Sequence, residues 1–273
     1  MPELPEVETV VQGLKRKILN KTIQKVSVYY DKIIEYPSIE EFMEKIQNQT
    51  IHDIKRYGKW IIFILDTDYL LSHLRMEGKY FIKEKNTIHN KHEHVTFLFA
   101  NNEELRYHDV RKFGKMLLIP KDKIAKIGPL KEMGKEPWDK TLTNTYLEEK
   151  LKKKTIPIKS SLLDQSIIVG IGNIYADEIL FSSHINPLKK SNTLTSKERQ
   201  AIITNTRKIL EKAIEKGGTT IRSYTSVNGV HGLFQQELSV HGKENQPCPV
   251  CKSKILKIKV AGRGTYYCPH CQK

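Results

Sequence analysis

The sequence predicts an α+β protein: an amphipathic helix leads an antiparallel β-sandwich, a helical region follows, and a small four-cysteine module ends the chain. Three observations carry that expectation. Short runs rich in Val, Ile, Tyr and Phe recur from residue 22 to residue 119, separated by turn-like Asp, Asn, Gly and Lys clusters. From about residue 141 the apolar period becomes helical. The four cysteines, at 248, 251, 268 and 271, read C-x2-C, sixteen residues, then C-x2-C.

The first helix is expected over about 5–18. Pro5 suits a first turn, where its missing N–H costs nothing, and Glu6 and Glu8 suit the positive end of the helix dipole. Val7, Val10, Val11, Leu14 and Ile18 follow helical spacing. Strands are expected at 22–30, 50–56, 60–65, 69–74, 78–83, 94–99, 104–108 and 115–119, with a helix at 39–48 among them. GPLKEMGKEPWDK (128–140) has the Gly and Pro of a linker. Helices follow near 143–153 and 160–166, the second ending in a glycine-bearing turn. Another starts at Asn173, with Ile174, Ala176, Ile179 and Leu180 as a mixed apolar face and Pro187 beyond its end. Thr195 and Glu198 form a capping box for a helix at 196–216, which Gly217-Gly218 stops. Residues 219–242 read as a glycine-containing loop and linker.

With 46 Lys and Arg against 31 Asp and Glu, the formal charge is +15. Such an excess points to a polyanionic partner, nucleic acid or an anionic surface, against the plainer alternative of a soluble lysine-rich protein. No apolar stretch of about 18 residues is present, which argues against a membrane span. The acidic N-terminus lacks an apolar signal core, so a cytoplasmic location is expected. Two close cysteine pairs at this separation suit one structural Zn²⁺ held by Cys248, Cys251, Cys268 and Cys271. Disulfides are the alternative.

Within that module ILKIKVA (255–261) alternates apolar and basic residues, GRG follows, then TYYC. This reads as a hairpin with Gly262-Arg263-Gly264 at its tip, both ends running into zinc ligands. Residues 243–273 hold seven Lys or Arg and one Glu. Four thiolates and one Zn²⁺ bring the net charge of this stretch to about +4. A rigid basic finger that pushes an arginine forward suits a nucleic-acid contact; a solvated turn arginine is the plainer reading.

The N-terminus, MPELPE, asks for a separate explanation. Removal of Met1, common before a small residue, leaves Pro2 as a secondary amine. With an α-amine pKa of about 7.7–8.0, part of it is neutral and nucleophilic at pH 7. Attack on an aldehyde-level carbon gives an iminium ion, and neighbouring carboxylates then serve as acid and base.

PELPEVET after Met1, GIGNIYADE in mid-chain and the four-cysteine finger with GRGTYYC together resemble the formamidopyrimidine-DNA glycosylase family, along the whole chain and in order. Its members are bifunctional enzymes that remove oxidised purines and nick the strand. In the sister endonuclease VIII-like family a glycine usually replaces Leu4, so Leu4 favours the purine branch. The resemblance implies a catalytic β-sandwich domain (1–127), a linker (128–140), and a helix–two-turn–helix DNA-binding domain (141–225) with a lesion loop to about 237. A zinc finger (238–273) follows, and damaged duplex DNA lies in the cleft between the lobes of a monomer.

Residue by residue, the resemblance makes Pro2 the nucleophile on C1′ and Glu3 the acid that assists ring opening. Glu6 becomes a buried carboxylate supporting the N-terminus, with a helix-dipole charge as the plainer reading. Lys59, in YGKW, becomes a catalytic lysine contacting phosphate near the lesion; a solvated strand-end lysine is the alternative. Asn173 and Tyr175 match phosphate-binding positions, which suits a helix N-terminus, although Asn173 could serve only as an N-cap. Arg263 matches the finger arginine that grips flanking phosphates, and His73 resembles a further phosphate contact.

An enzyme acting on a stacked base must extrude it and fill the void. Met76, Arg111 and Phe113, in HLRMEG and DVRKFG, match the family's void-filling trio: an apolar wedge, a guanidinium facing the orphaned base and a stackable ring. Without the resemblance, Met76 and Phe113 would read as core. Loop 219–237 is expected to cover the extruded base. The expected activity is therefore excision of 8-oxoguanine and formamidopyrimidines with β,δ-elimination. An oxidised-pyrimidine glycosylase, a non-catalytic zinc-ribbon DNA-binding protein and a Pro2-dependent tautomerase are the rivals. The last explains neither the zinc module nor the charge.

Overall fold

The structure, a computed structural model, describes residues 1–219 and 232–273. The chain forms two compact units, Met1–Lys131 with Gly217–Gly232, and Glu132–Lys216 with Leu233–Lys273.

In the first unit, helix α1 (Leu4–Ile18) buries Val7, Val10, Val11, Leu14 and Ile18, the stripe its spacing predicts. It packs on two sheets built from β1 (Ile23–Val28), β2 (Ile34–Tyr36), β3 (Asp53–Tyr57), β4 (Trp60–Ile64), β5 (Asp68–His73), β6 (Lys79–Glu84), β7 (Glu93–Phe99), β8 (Glu103–His108) and β9 (Lys115–Pro120). One sheet has the order β1-β7-β8-β6 and the other β2-β9-β5-β4-β3. Helix α2 (Ile39–Ile46) is capped by Ser38, whose Oγ accepts the Glu41 N–H at 3.3 Å. A single core of Phe42, Phe63, Phe97, Phe99 and aliphatic neighbours joins the helices to both sheets. All pairings are antiparallel except β2 with β9, which is parallel, with Ile34 opposite Met116. The three residues of β2 are too few to register as a period-two run, and its parallel partner lies about eighty positions on rather than across a hairpin.

The second unit contains α3 (Asn144–Leu151), α4 (Ile158–Leu163), α5 (Asn173–Ser182), α6 (Ser196–Glu215) and the hairpin β10 (Leu256–Val260) with β11 (Arg263–Tyr267). The α6 capping box is present: Thr195 Oγ1 accepts the Glu198 N–H at 3.2 Å, and Glu198 Oε2 accepts the Thr195 N–H at 2.8 Å. Every residue of α5 from Ile174 to Phe181 is buried, including Asp177 and Glu178. Its mixed apolar face is therefore that of a core helix. Among the described residues no helix is long and apolar enough to cross a membrane.

The finger's tip differs from the expectation. The turn is Ala261-Gly262, with φ of +47° and +78°, and Arg263 opens the returning strand opposite Val260. Two central residues at positive φ are the pattern whose twist matches flanking antiparallel strands. Arg263 remains exposed.

Candidate active site and nucleic-acid interface

In the first unit the catalytic candidates gather around the start of α1. Glu3 is the N-cap of α1 and only 2% exposed, and Pro2 beside it is buried. Glu6, 4% exposed, accepts the Glu3 N–H on Oε2 at 2.9 Å. On Oε1 it accepts the Thr219 N–H at 2.7 Å and the Thr219 hydroxyl at 3.1 Å. Glu6 thus does more than meet the helix dipole: it joins two segments 213 residues apart. In the chain with Met1 attached, the Pro2 nitrogen is part of a peptide bond. The Met1 amine next to it is held below the ordinary α-amine range by burial, which Glu3 and Glu6 oppose and the charge of Lys59 reinforces.

Lys59 sits in the two-residue connection of the β3–β4 hairpin. Gly58, at φ +55°, takes the left-handed position there, leaving Lys59 an ordinary backbone. Its side chain is 5% exposed, not a solvated strand end.

His73 ends β5 with its ring edge-on to Trp60, centroids 4.8 Å apart. Burial first, then the charges of Arg75 and Lys59, push its pKa down to about 3. Its Nδ1 accepts the Arg75 N–H at 2.9 Å, so the ring is the neutral Nε2–H tautomer. Toward a phosphate it offers a hydrogen bond and no charge.

The wedge candidates stand on two turns. Met76 is half-buried in the turn between β5 and β6, while Arg111 and Phe113 are exposed between β8 and β9. The Arg111 guanidinium lies 4.8 Å from the Phe113 ring centroid. Asp109, fully buried, holds that second turn: its carboxylate accepts the N–H groups of Arg111 at 3.0 Å, Phe113 at 2.9 Å and Gly114 at 2.8 Å. Sequence reasoning passed over Asp109. The Asp-x-Arg and Asp-x4-Gly spacing is the available signal, because a short carboxylate caps N–H groups just downstream of itself.

In the second unit the phosphate-binding candidates Asn173 and Arg263 are brought together. Asn173 Nδ2 donates to the Gly264 carbonyl at 3.0 Å, tying the start of α5 to the residue after Arg263. Gly172, not Asn173, is the N-cap, so the capping role for Asn173 does not hold. The Asn173 amide keeps a second donor hydrogen. Tyr175 is fully buried, its ring 5.8 Å from that of Phe234.

Beneath this junction lies a cluster the sequence did not reveal. Lys159, fully buried, donates to Asp177 Oδ1 at 2.7 Å, Thr265 Oγ1 at 2.8 Å and the Gly264 carbonyl at 3.1 Å. Asp177 Oδ2 also receives His241 Nδ1 at 2.7 Å, and Glu178 accepts the N–H groups of Ser239, Val240 and His241. In sequence Lys159 is one lysine near a basic run. Only its position between Ile158 and Leu162, both buried, hinted that it would need a partner.

The sulfurs of Cys248, Cys251, Cys268 and Cys271 all lie within 4.8 Å of one another. Cys248 and Cys271 are 3.9 Å apart and Cys251 and Cys268 3.4 Å. A tetrahedron with Zn–S bonds of about 2.3 Å has edges of about 3.8 Å, whereas a disulfide needs about 2.05 Å. The donor set is that of one structural Zn²⁺, and no disulfide links these cysteines. Of loop 219–237, residues 220–231 lie outside the described residues, and so does its expected covering role.

Three domain models match the chain: the formamidopyrimidine-DNA glycosylase N-terminal domain over residues 1–116, the formamidopyrimidine-DNA glycosylase H2TH domain over 133–225, and the zinc finger found in FPG and IleRS over 245–273. A formamidopyrimidine-DNA glycosylase of Oceanobacillus iheyensis is 47% identical over 273 residues, covering 100% of this chain and 98% of its own length. A point mutant of Lactococcus lactis FPG, solved in complex with a Fapy-dG containing DNA, superposes with a TM-score of 0.94 at 40% identity, with 100% of each chain covered. Lactococcus lactis Fpg in complex with abasic-site DNA gives 0.93 at 40% identity over 99% of each chain.

Proposed function

The chain belongs to the formamidopyrimidine-DNA glycosylase family, and on that premise we propose that it excises oxidised purines such as 8-oxoguanine and formamidopyrimidines from duplex DNA and then cleaves the strand. The observation that carries the reading is the buried N-terminus, where Pro2, Glu3 and Glu6 meet at the head of α1. Once Met1 is removed, the neutral Pro2 amine attacks C1′, the glycosidic bond breaks with its electron pair leaving on the damaged base, and the base takes up the proton that the Pro2 nitrogen gives up. Glu3 delivers a proton as the sugar ring opens, leaving an iminium ion. Loss of protons from the opened sugar then expels the 3′ and 5′ phosphates in turn. Lys59 and Arg263 hold phosphates as cations, Asn173 and Tyr175 act at the positive end of α5, and His73 donates a neutral hydrogen bond.

Met76, Arg111 and Phe113 fill the space left by the extruded base. One structural Zn²⁺, held by the four cysteines, fixes the finger that carries Arg263. A cytoplasmic site of action accords with reduced cysteines and damaged chromosomal DNA. Borohydride tests the chemistry: it must join the mature protein covalently to an 8-oxoguanine:C duplex. Intact mass must show Met1 removed from the reactive protein. Faster excision from a thymine-glycol duplex would place the chain in the oxidised-pyrimidine branch, and binding without nicking would make it a DNA-binding protein only.

A further inference from the structure

Glu6 is pinned by Thr219, which the sequence places only at the start of loop 219–237 and to which the proposed reaction assigns no role of its own. Two donors on its Oε1 among the described residues, the amide at 2.7 Å and the hydroxyl at 3.1 Å, come from Thr219, itself 4% exposed. The backbone crowds the same oxygen. Gly218, at φ +80°, lies so near that a Cβ there would stand 2.5 Å from Glu6 Oε1, and a Cβ on Gly232 would stand 2.2 Å from the Gly218 carbonyl oxygen. The terminal torsion of a glutamate is soft, with a broad distribution rather than sharp rotamers. Two donors converging on one oxygen set the plane of the carboxylate, and a planar group so fixed also aims its other oxygen. That second oxygen receives the Glu3 N–H at 2.9 Å.

We propose that Thr219 is a positioning residue for the covalent step: its hydroxyl and amide orient the Glu6 carboxylate, which holds the backbone at Glu3 and thereby sets the Pro2 nitrogen in line with C1′. The proposal rests on the reading of Pro2 as the nucleophile. Small displacements at a nucleophile slow the bond-forming step far more than they weaken binding. Thr219→Val keeps the shape and the backbone amide and removes only the hydroxyl hydrogen bond. Thr219→Ser restores it.

The test uses the full chain with Met1 removed, a duplex with a pre-formed abasic site, and single-turnover borohydride trapping at saturating protein. Affinity for a duplex with a tetrahydrofuran abasic analogue and the melting temperature are measured alongside. Thr219→Val is expected to slow trapping about tenfold, with affinity for the analogue duplex unchanged and Thr219→Ser close to the wild-type rate. If Thr219→Val does not fold, Thr219→Ala carries the same expectation. Trapping by the folded valine or alanine variant at the wild-type rate would overturn the proposal, as would equal slowing by serine and valine. Failure of the wild-type protein to trap would overturn the nucleophile assignment itself, and the positioning role with it.

Discussion

A histidine buried beside Trp60, within reach of the charges of Lys59 and Arg75, stays unprotonated. Between the folded value of about 3 and the ordinary 6.5, the unfolded chain binds a proton that the folded chain does not. Stability contributed by neutral His73 is therefore full above about pH 6.5 and falls as pH drops toward 3, by up to ~1.4 kcal/mol per pH unit. Burial shifts His94 and His108 in the same direction. Urea midpoints measured from pH 7 to pH 5 should show this decline, and His73→Gln should flatten it. Asp109 is a second residue with a measurable role. Asp109→Ala strips the acceptor from three N–H groups and should cost at least ~1.5–3 kcal/mol, the worth of one hydrogen bond to a charged group. Thermal denaturation checks the cost. Affinity for an abasic duplex should fall with it, because the turn bearing Arg111 and Phe113 loses its frame.

Elements of the second unit are held together by buried charge and by metal. Lys159 links α4 to α5 through Asp177 and to β11 through Thr265. Lys159→Met would leave Asp177 buried without its cation, a change expected to cost ~3–5 kcal/mol and to lower the melting temperature of the unit. The β10–β11 hairpin depends on the four thiolates that bracket it. Chelating Zn²⁺, or Cys251→Ser, should loosen the finger and weaken duplex binding while the sandwich stays folded. Arg263→Ala should reproduce the loss of binding with zinc content unchanged. Metal analysis combined with duplex titration separates the two effects. Freshly purified protein without zinc would contradict this account.

Over the whole molecule, a charge of +15 meets a polyanion. Lys59 and Arg263 alone should give log K against log salt a slope of about −2, because Asn173, Tyr175 and neutral His73 release few counterions, and roughly five or six phosphates neutralised by further basic side chains would steepen it to about −5. Lys59→Ala should flatten the slope by about one unit. The covalent chemistry makes a sharper prediction. A protein extended by one residue before Pro2 should bind a lesion duplex yet neither trap nor nick it, since its nitrogen is then an amide. Pro2→Gly should retain some trapping. Glu3→Gln should impair base excision more than cleavage of a pre-formed abasic site. Burial lowers the pKa of the Met1 amine, and the Pro2 amine, deeper in the same place, should shift the same way. Trapping should therefore remain efficient below the ordinary α-amine range of about 7.7–8.0, where the unperturbed amine would be protonated. A pH–rate profile of trapping reads this directly.

The elements were largely legible because periodicity is local: the α1 stripe, the strand runs and the Thr195–Glu198 box all lie within a few residues of themselves. The cysteine spacing named the metal, since ligand pairs on one turn bring their own geometry. Pro2, Glu3 and Lys59 were reached through motif resemblance. What the sequence could not decide depends on segments far apart in the chain. The parallel partner of β2 is one case, and the φ sign at Ala261 that moves Arg263 onto a strand is another. The protonation of His73 and the pairing of Lys159 are set by neighbours that only folding supplies. Thr219 is the clearest instance. Nothing within reach of it in sequence calls for a carboxylate, and the one it holds arrives from the first turn of the chain.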